Sequence, residues 1–425
     1  MKSVDFLVVG GSVAGTTAAE VIRSLMPVSS ITVVTDENHE QYSRVLLPYY
    51  IRHKISREQV FLRKPEWYQE RKIELIKGAK AVKLDPNKHL VTLSDGRQYN
   101  YGKLLFAVGG EVIRLNVLGS DLKNILYLRT IEDADQIVEV ARRSKKAVIV
   151  GGGFVGLDFA SCFKANGIED VTILVLEDYF WQGKLDEESS KVLTATLEKN
   201  GIKILTNEEV ERFEPQKGES FNKGFSLIKT KSGKKFEADV AGVGIGIKSD
   251  FNWLKDTGIK INRGIVTNEY LETSLADVYA AGDCAEFWDV IFQRQHIMGN
   301  WANATSQGNT VGKTMAGQRT VFETASSYSI NFFDGSCSFI GVTDEKFADD
   351  VISRGRRPGG ASGLEGMTRI FVKTINNVMR IVGATVINSV ADVSPLTTAV
   401  KNRADIIKYK DKLGDEKFDL REIIS

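Results

Sequence analysis

Cysteine is scarce in this chain. Three stand among 425 residues: Cys162, Cys284 and Cys337. None belongs to a CxxC pair, so neither a disulfide framework nor a structural zinc site organises the fold. The same scarcity fits a reducing compartment, and a cytoplasmic location is the expectation. Excess charge is also lacking, because 56 Lys and Arg face 55 Asp and Glu for a formal charge of +1. No bulk attraction to nucleic acid or to an anionic membrane follows from that balance. No run of 18 apolar residues exists, so no membrane span is expected. An apolar strand pattern begins at Val4, which leaves no room for a cleaved leader. His39, His53, His89 and His296 show no metal-ligand spacing, so no metal is expected. What remains is an ordinary globular balance of 42% hydrophobic and 26% charged residues. At this length it suggests roughly three domains.

One pattern occurs twice. Asp5–Val9 reads as a buried strand running into Gly10-Gly11-Ser12-Val13-Ala14-Gly15. Small and apolar residues at Ala18, Ala19, Ile22 and Leu25 then suit a helix packed on a sheet, and Ile31–Thr35 reads as a second strand. The pattern returns at Ala147–Val150, Gly151-Gly152-Gly153-Phe154-Val155-Gly156, a helix to about Asn166, and a strand Val171–Leu176. Two strand–loop–helix–strand units predict two nucleotide-binding domains. Such a loop lets backbone N–H groups reach a pyrophosphate at a positive helix N-terminus. Gly151, Gly153 and Gly156 fill all three glycine places of GxGxxG. In the first loop Gly10 and Gly15 hold the outer places and Ser12 the middle one.

An acid beyond the second strand commonly holds a ribose hydroxyl. Asp36 and Glu37 stand there in the first unit, and Glu177 stands there, slightly late, in the second. Strands are further expected at Ala79–Leu84 and His89–Leu93, with a turn at Ser94-Asp95-Gly96, and at Lys103–Ala107. A helix is expected at about Asp186–Asn200, and strands at Asp239–Val243 and Val278–Ala281. From about Ala325 the pattern changes to the strand-like stretches Tyr328–Phe333, Arg369–Lys373 and Met379–Val386, a Gly/Arg-rich loop Arg354–Gly363 and a helical end. The tail therefore reads as a third, α+β domain.

These residues resemble the FAD-dependent pyridine nucleotide–disulfide oxidoreductases over at least positions 4–316. Beside the two loops, Leu105-Phe106-Ala107-Val108-Gly109-Gly110 is similar to the family's ATGG segment. Thr273-Ser274 and Asp277–Cys284 are similar to its distal FAD motif, in which Asp283 follows Gly282 and would bond the ribitol chain. Tyr42–Pro48 resembles a segment of the flavin subunit of NADH nitrite reductases and of rubredoxin and ferredoxin reductases. The resemblance implies an α/β fold with two Rossmann-like domains and a C-terminal α+β interface domain. Its boundaries would be 1–112 and 248–324 for FAD, 113–247 for NAD and 325–425 for the interface domain. It also implies that Glu37 and Arg44 lie near the adenosine and pyrophosphate of FAD and that Val82 lies by the adenine. Trp301 would open a helix, Ala302–Ala316, aimed at the flavin pyrimidine. Asp158 stands where the family has a Glu on the nicotinamide amide. Gly246 opens a variant of the family's GxRPN segment that has lost its Pro.

The family's redox thiols have no counterpart. Val45 occupies the place of the single cysteine, and no CxxxxC pair follows the first loop. Disulfide reduction needs a thiolate beside the flavin, and NADH peroxidases and water-forming NADH oxidases need a cysteine sulfenate, so electrons are expected to leave the flavin directly. The expected function is an FAD-dependent NADH:acceptor oxidoreductase serving a rubredoxin, ferredoxin or iron–sulfur subunit, possible as a homo-oligomer. No side chain is assigned as a catalytic acid or base, because the cofactor carries the chemistry. Two alternatives stay open: a hydrogen-peroxide-forming NADH oxidase, and a non-enzymatic NADH sensor in the manner of apoptosis-inducing factor. NADH is expected over NADPH, because no Arg occurs between Ser144 and Glu211. Arg354, Arg356 and Arg357 are the candidate surface for an acidic partner protein.

Overall fold

Phe6–Val9 and Ala147–Val150 are each four buried residues in a row, which suits strands covered on both faces. Each forms the centre of a parallel sheet. The structure, a computed structural model, describes residues 1–215, 224–355 and 366–424. The chain divides into two compact units: residues 1–45, 56–111 and 247–324 form the first, and 46–55, 112–246 and 325–425 the second.

In the first unit the strand Lys2–Val9 lies between Ile31–Val34 and Gln98–Phe106, and Ile73–Ile76 extends the sheet on the far side. These four strands run parallel, and Val278–Ala280 pairs parallel with the end of Gln98–Phe106. An antiparallel pair, Ala81–Asp85 and Leu90–Leu93, continues from the start of that strand. Alternation sorts the side chains by face. Phe6 and Val8 join Ala18, Ala19 and Ile22 of the first-loop helix (Val13–Leu25) in one core. Leu7 and Val9 join Leu104, Phe106 and Val278 in another. The helix Trp301–Met315 lies against the first-loop helix, and glycines at Gly308 and Gly312 allow the close approach. A Cβ at Gly308 would stand 2.5 Å from the Ala14 carbonyl oxygen, and one at Gly312 2.9 Å from that of Ala18.

In the second unit five parallel strands stand in the order Ile202–Leu205, Asp170–Leu174, Lys146–Val150, Val240–Val243, Ile125–Leu126. A three-stranded antiparallel sheet, Val210–Glu214, Leu227–Thr230 and Lys235–Glu237, shares a core with Val148, Val150 and Leu174. The tail forms a five-stranded antiparallel sheet in the order Ser327–Phe332, Gly335–Gly341, Val378–Ile387, Met367–Ile375, Asp350–Gly355, followed by the helix Val393–Lys401. No described helix is long and apolar enough to cross a membrane.

The structure corrects the expected hairpin turn and the expected tail loop. The turn joining Ala81–Asp85 to Leu90–Leu93 is Pro86–His89, with His89 at φ 47°, while Ser94-Asp95-Gly96 leads on into Gln98–Phe106. Arg354 is a strand residue, not part of an exposed loop. Its side chain is 7% exposed, donates to the carbonyls of Glu416 and Phe418 at 3.0 Å each, and stands 3.6 Å from Asp392. A cation so enclosed cannot serve as a docking charge. Arg356 and Arg357 lie outside the described residues.

Candidate nucleotide-binding sites

The first loop leaves its strand through Gly10, whose φ of 121° suits glycine. A Cβ there would strike the Ala107 carbonyl, and one at Gly15 would strike that of Gly10. The helix begins at Val13 after Ser12, which makes no side-chain cap. The first-turn N–H groups of Val13, Ala14 and Gly15 are therefore left for an anion. Gly151 repeats the turn at φ 99°, a Cβ at Gly156 would strike the Gly151 carbonyl, and Gly153 precedes the second-loop helix (Phe154–Ala165) with no cap either. Val155 follows Phe154 in its first turn.

The two halves share one backbone frame. The N–H of Gly10 donates to Val34 at 2.8 Å, and that of Gly151 to Leu174 at 3.0 Å. Gly78 donates to the Glu37 carbonyl at 3.1 Å, and Asn207 to that of Glu177 at 3.1 Å. Ala79 donates to Thr35 at 3.0 Å, and Glu208 to Val175 at 2.9 Å. Glu37 and Glu177 thus hold corresponding positions, each two residues beyond a buried strand-end residue, Thr35 or Val175. The lateness of Glu177 in the sequence is a property of both halves.

Around the first loop the structure gathers Glu37, Tyr42 and Arg44, and these line one cleft with Gly11, Ser12 and Gln41. Arg44 pairs with Glu37, whose other carboxylate oxygen accepts from the Tyr42 hydroxyl. Burial pulls the Arg44 pKa down, but Tyr42, Glu37 and Asp283 outweigh it and raise it, so the guanidinium stays charged. Asp36 is exposed, 3.4 Å from Lys80. Val82 is exposed at an irregularity in its strand. Gly109, at φ 62°, accepts from Ser249 at 2.5 Å. Gly282 donates to Gln307 at 2.6 Å, and a Cβ on it would lie 3.3 Å from Ala14. The turn carrying Asp283 is so held against the loop helix. Trp301 is half-buried against the same core, at the first position of its helix, whose N-cap is Asn300. The helix spans Trp301–Met315, one residue earlier than expected at each end.

The donor set fits FAD. Open helix N–H groups and Arg44 suit a diphosphate, and Glu37 and Asp283 suit sugar and ribitol hydroxyls. Two residues that the sequence reading missed strengthen the fit. Gln41 has a buried side-chain oxygen without a partner among the described residues, and so does the amide nitrogen of Gln307. A lone glutamine in a loop or helix carries no sequence signal for this.

Around the second loop, Glu177 is exposed and Gly246 turns at φ 107°. Burial pushes the Asp158 carboxyl up to about 7, against the pull of Arg52. The three cysteines are buried. The Cys284 thiol faces the carbonyls of Ala281 and Phe106 at 3.3 and 3.5 Å, and burial raises its pKa to about 11. A thiol so placed is a packing group, not a nucleophile. Among the described residues, no group of three or more His, Cys, Asp or Glu could hold a metal ion.

Known proteins match the chain in sequence and in fold. The family model described as pyridine nucleotide-disulphide oxidoreductase matches residues 4–308. An NAD(P)H nitrite reductase of Bacillus subtilis is 27% identical over 408 residues, which cover 96% of this chain and 48% of that protein. The chain thus spans about half of that relative. An NADH-rubredoxin oxidoreductase of Clostridium acetobutylicum is 31% identical over 288 residues, 68% of this chain and 70% of the relative. In fold, the chain matches putidaredoxin reductase from its covalent complex with putidaredoxin. The TM-score is 0.89 at 24% identity, over 100% of this chain and 99% of that one.

Proposed function

The chain belongs to the pyridine nucleotide-disulphide oxidoreductase family, and we propose that it is an FAD-dependent NADH:acceptor oxidoreductase that hands electrons to a small iron–sulfur carrier or subunit. Bound FAD would supply the chemistry, accepting hydride from NADH and giving up electrons one at a time. The protein's part is to hold two dinucleotides. In the first unit, the N–H groups after Ser12 and the Arg44 guanidinium take the FAD diphosphate, Glu37 takes a ribose hydroxyl and Asp283 the ribitol. In the second unit, the N–H groups after Gly153 take the NADH diphosphate, Glu177 reads its ribose and Asp158 lies where the nicotinamide amide would bind.

The observation that carries this reading is the pair of equivalent phosphate loops in a chain whose thiols are all buried. Two dinucleotides without a reactive sulfur leave direct electron exit as the economical path. A rubredoxin or ferredoxin acceptor is favoured by the relatives. The test is steady-state turnover of the purified yellow protein with ferricyanide, a rubredoxin, a ferredoxin or dioxygen. Carrier reduction should exceed oxygen consumption at least about tenfold, one decade in rate. Equal rates of peroxide formation and NADH oxidation without a carrier would instead identify an oxidase. A long-lived NAD–flavin complex with negligible turnover would identify a sensor. NADH should be preferred over NADPH in kcat/KM, because exposed Glu177 and Asp178 repel a 2′-phosphate.

A further inference from the structure

The segment after the second ribose acid does more than connect. It runs from Glu177 to Lys184 across the phosphate loop. A Cβ at Gly152 would lie 3.0 Å from the Phe180 ring, and the Trp181 ring centroid is 4.9 Å from that of Phe154. Phe154 is the first residue of the second-loop helix, so the segment ends at the mouth where the loop's N–H groups open. Lys184 closes it, with Nζ 6.0 Å from the Phe154 ring centroid and 5.9 Å from that of Phe339. Phe339 reaches this cluster from the tail sheet and packs on Trp181 at 5.4 Å.

Two donors stand in the cluster. Lys184 is exposed at its rim and makes no ion pair with a carboxylate among the described residues, and partial desolvation beside the rings lowers its pKa. Trp181 is 5% exposed, and its indole N–H has no partner among the described residues. Trp181 also holds φ at 62°, a conformation that costs a bulky residue energy and persists only where its surroundings impose it. A cation with no counter-charge, an orphan N–H and a helix N-terminus at one mouth all call for the same thing, an oxyanion.

The geometry points to Lys184 as a further binding residue of the second dinucleotide site, donating to a diphosphate oxygen of NADH, with Trp181 beside it. This inference rests on the reading of that site as the NADH site. It adds a side-chain donor to the N–H groups after Gly153, in a stretch from Ser144 to Glu211 that holds no Arg.

The test compares the holoprotein with Lys184→Met, Lys184→Arg and, as a control on the same domain, Lys191→Met, whose lysine pairs with Glu187 on the helix surface at 2.7 Å. ADP-ribose affinity is measured by calorimetry at two salt concentrations, and kcat and KM for NADH and NADPH with ferricyanide. In Lys184→Met, ADP-ribose affinity should fall and KM for NADH should rise, each about five- to tenfold, as losing one charge-assisted bond predicts. The kcat value should stay within about twofold, the salt dependence of binding should weaken, and Arg should restore most of the affinity. Lys191→Met should match the parent. Unchanged affinity and KM in Lys184→Met overturn the inference and make Lys184 a packing cation. A loss confined to NADPH also overturns it, since the contact would then be to a 2′-phosphate. If the parent binds neither ADP-ribose nor NADH, the reading of the site itself fails, and the inference with it.

Discussion

At the scale of single residues, the phosphate loops were legible because their demands are local. Gly10 and Gly151 need a positive φ, and Gly15 and Gly156 must clear a carbonyl one turn back. A sequence pattern can carry both conditions. Asp283 belongs to a short turn of the same local kind, and its charge is felt at Arg44. Asp283→Ala should remove a ribitol contact of about 1–3 kcal/mol, weakening FAD by roughly five- to 150-fold. The flavin-to-protein ratio after gel filtration should fall while the circular dichroism holds; full flavin retention would count against the assignment. Asp158 shows what sequence could not show. Its carboxyl is pushed up to about 7 because the surrounding protein desolvates it, against the opposing pull of Arg52. A native pKa above the unfolded value means that the folded chain holds more protons between about pH 4 and 7, so this group's stabilisation is lost as pH rises through that window. The melting temperature of Asp158→Asn relative to the parent should therefore climb from pH 5 to pH 8. A difference that stays constant with pH would contradict the buried carboxyl.

At the scale of elements, the phosphate-loop helices and their flanking strands followed from periodicity, but two strands of the tail sheet did not. Gly335–Gly341 and Asp350–Gly355 pair in the tail sheet, although Gly-Ser-Cys-Ser and Ser-Arg-Gly hardly signal strands. Register with Val378–Ile387 and Met367–Ile375 makes them so. This explains Arg354, which reads as a surface charge until its strand turns it toward the carbonyls of Glu416 and Phe418. Arg354→Ser would leave both carbonyls unmatched and Asp392 with the Thr368 hydroxyl alone, costing about 2–5 kcal/mol. Urea unfolding should show an earlier midpoint for the variant, whereas an unchanged midpoint would return Arg354 to the surface. The helix pair at Gly308 and Gly312 is more demanding. A methyl at Gly308 must push against the Ala14 carbonyl inside the first phosphate loop. Gly308→Ala should therefore loosen FAD as well as lower the melting temperature, while Gly317→Ala, past the helix end with open space around it, should leave flavin content unchanged. Equal flavin content in the two variants would show that the helix contact does not reach the loop.

At the scale of the whole molecule, the cysteine count was the most telling sequence fact, and the structure supplies its reason. All three thiols lie inside, with burial raising the pKa of each. Replacing all three by Ser or Ala should leave NADH-to-ferricyanide turnover within about threefold, well under the decade that 1.4 kcal/mol represents. A hundredfold loss at Cys284 with flavin retained would mean that electrons do pass through sulfur. One feature of the shared frame bears on time rather than on affinity. Glu37 and Glu177 hang from matching backbone bonds, yet only Glu37 is clasped, by Arg44 and Tyr42, while Glu177 stands in solvent. A ligand behind an ion-paired clasp must break it to leave, whereas one read by a loose acid departs as soon as its phosphates slip. Two copies of one supersecondary design would thus set two clocks: a long-staying tenant in the first half, and in the second a visitor that comes and goes with every cycle.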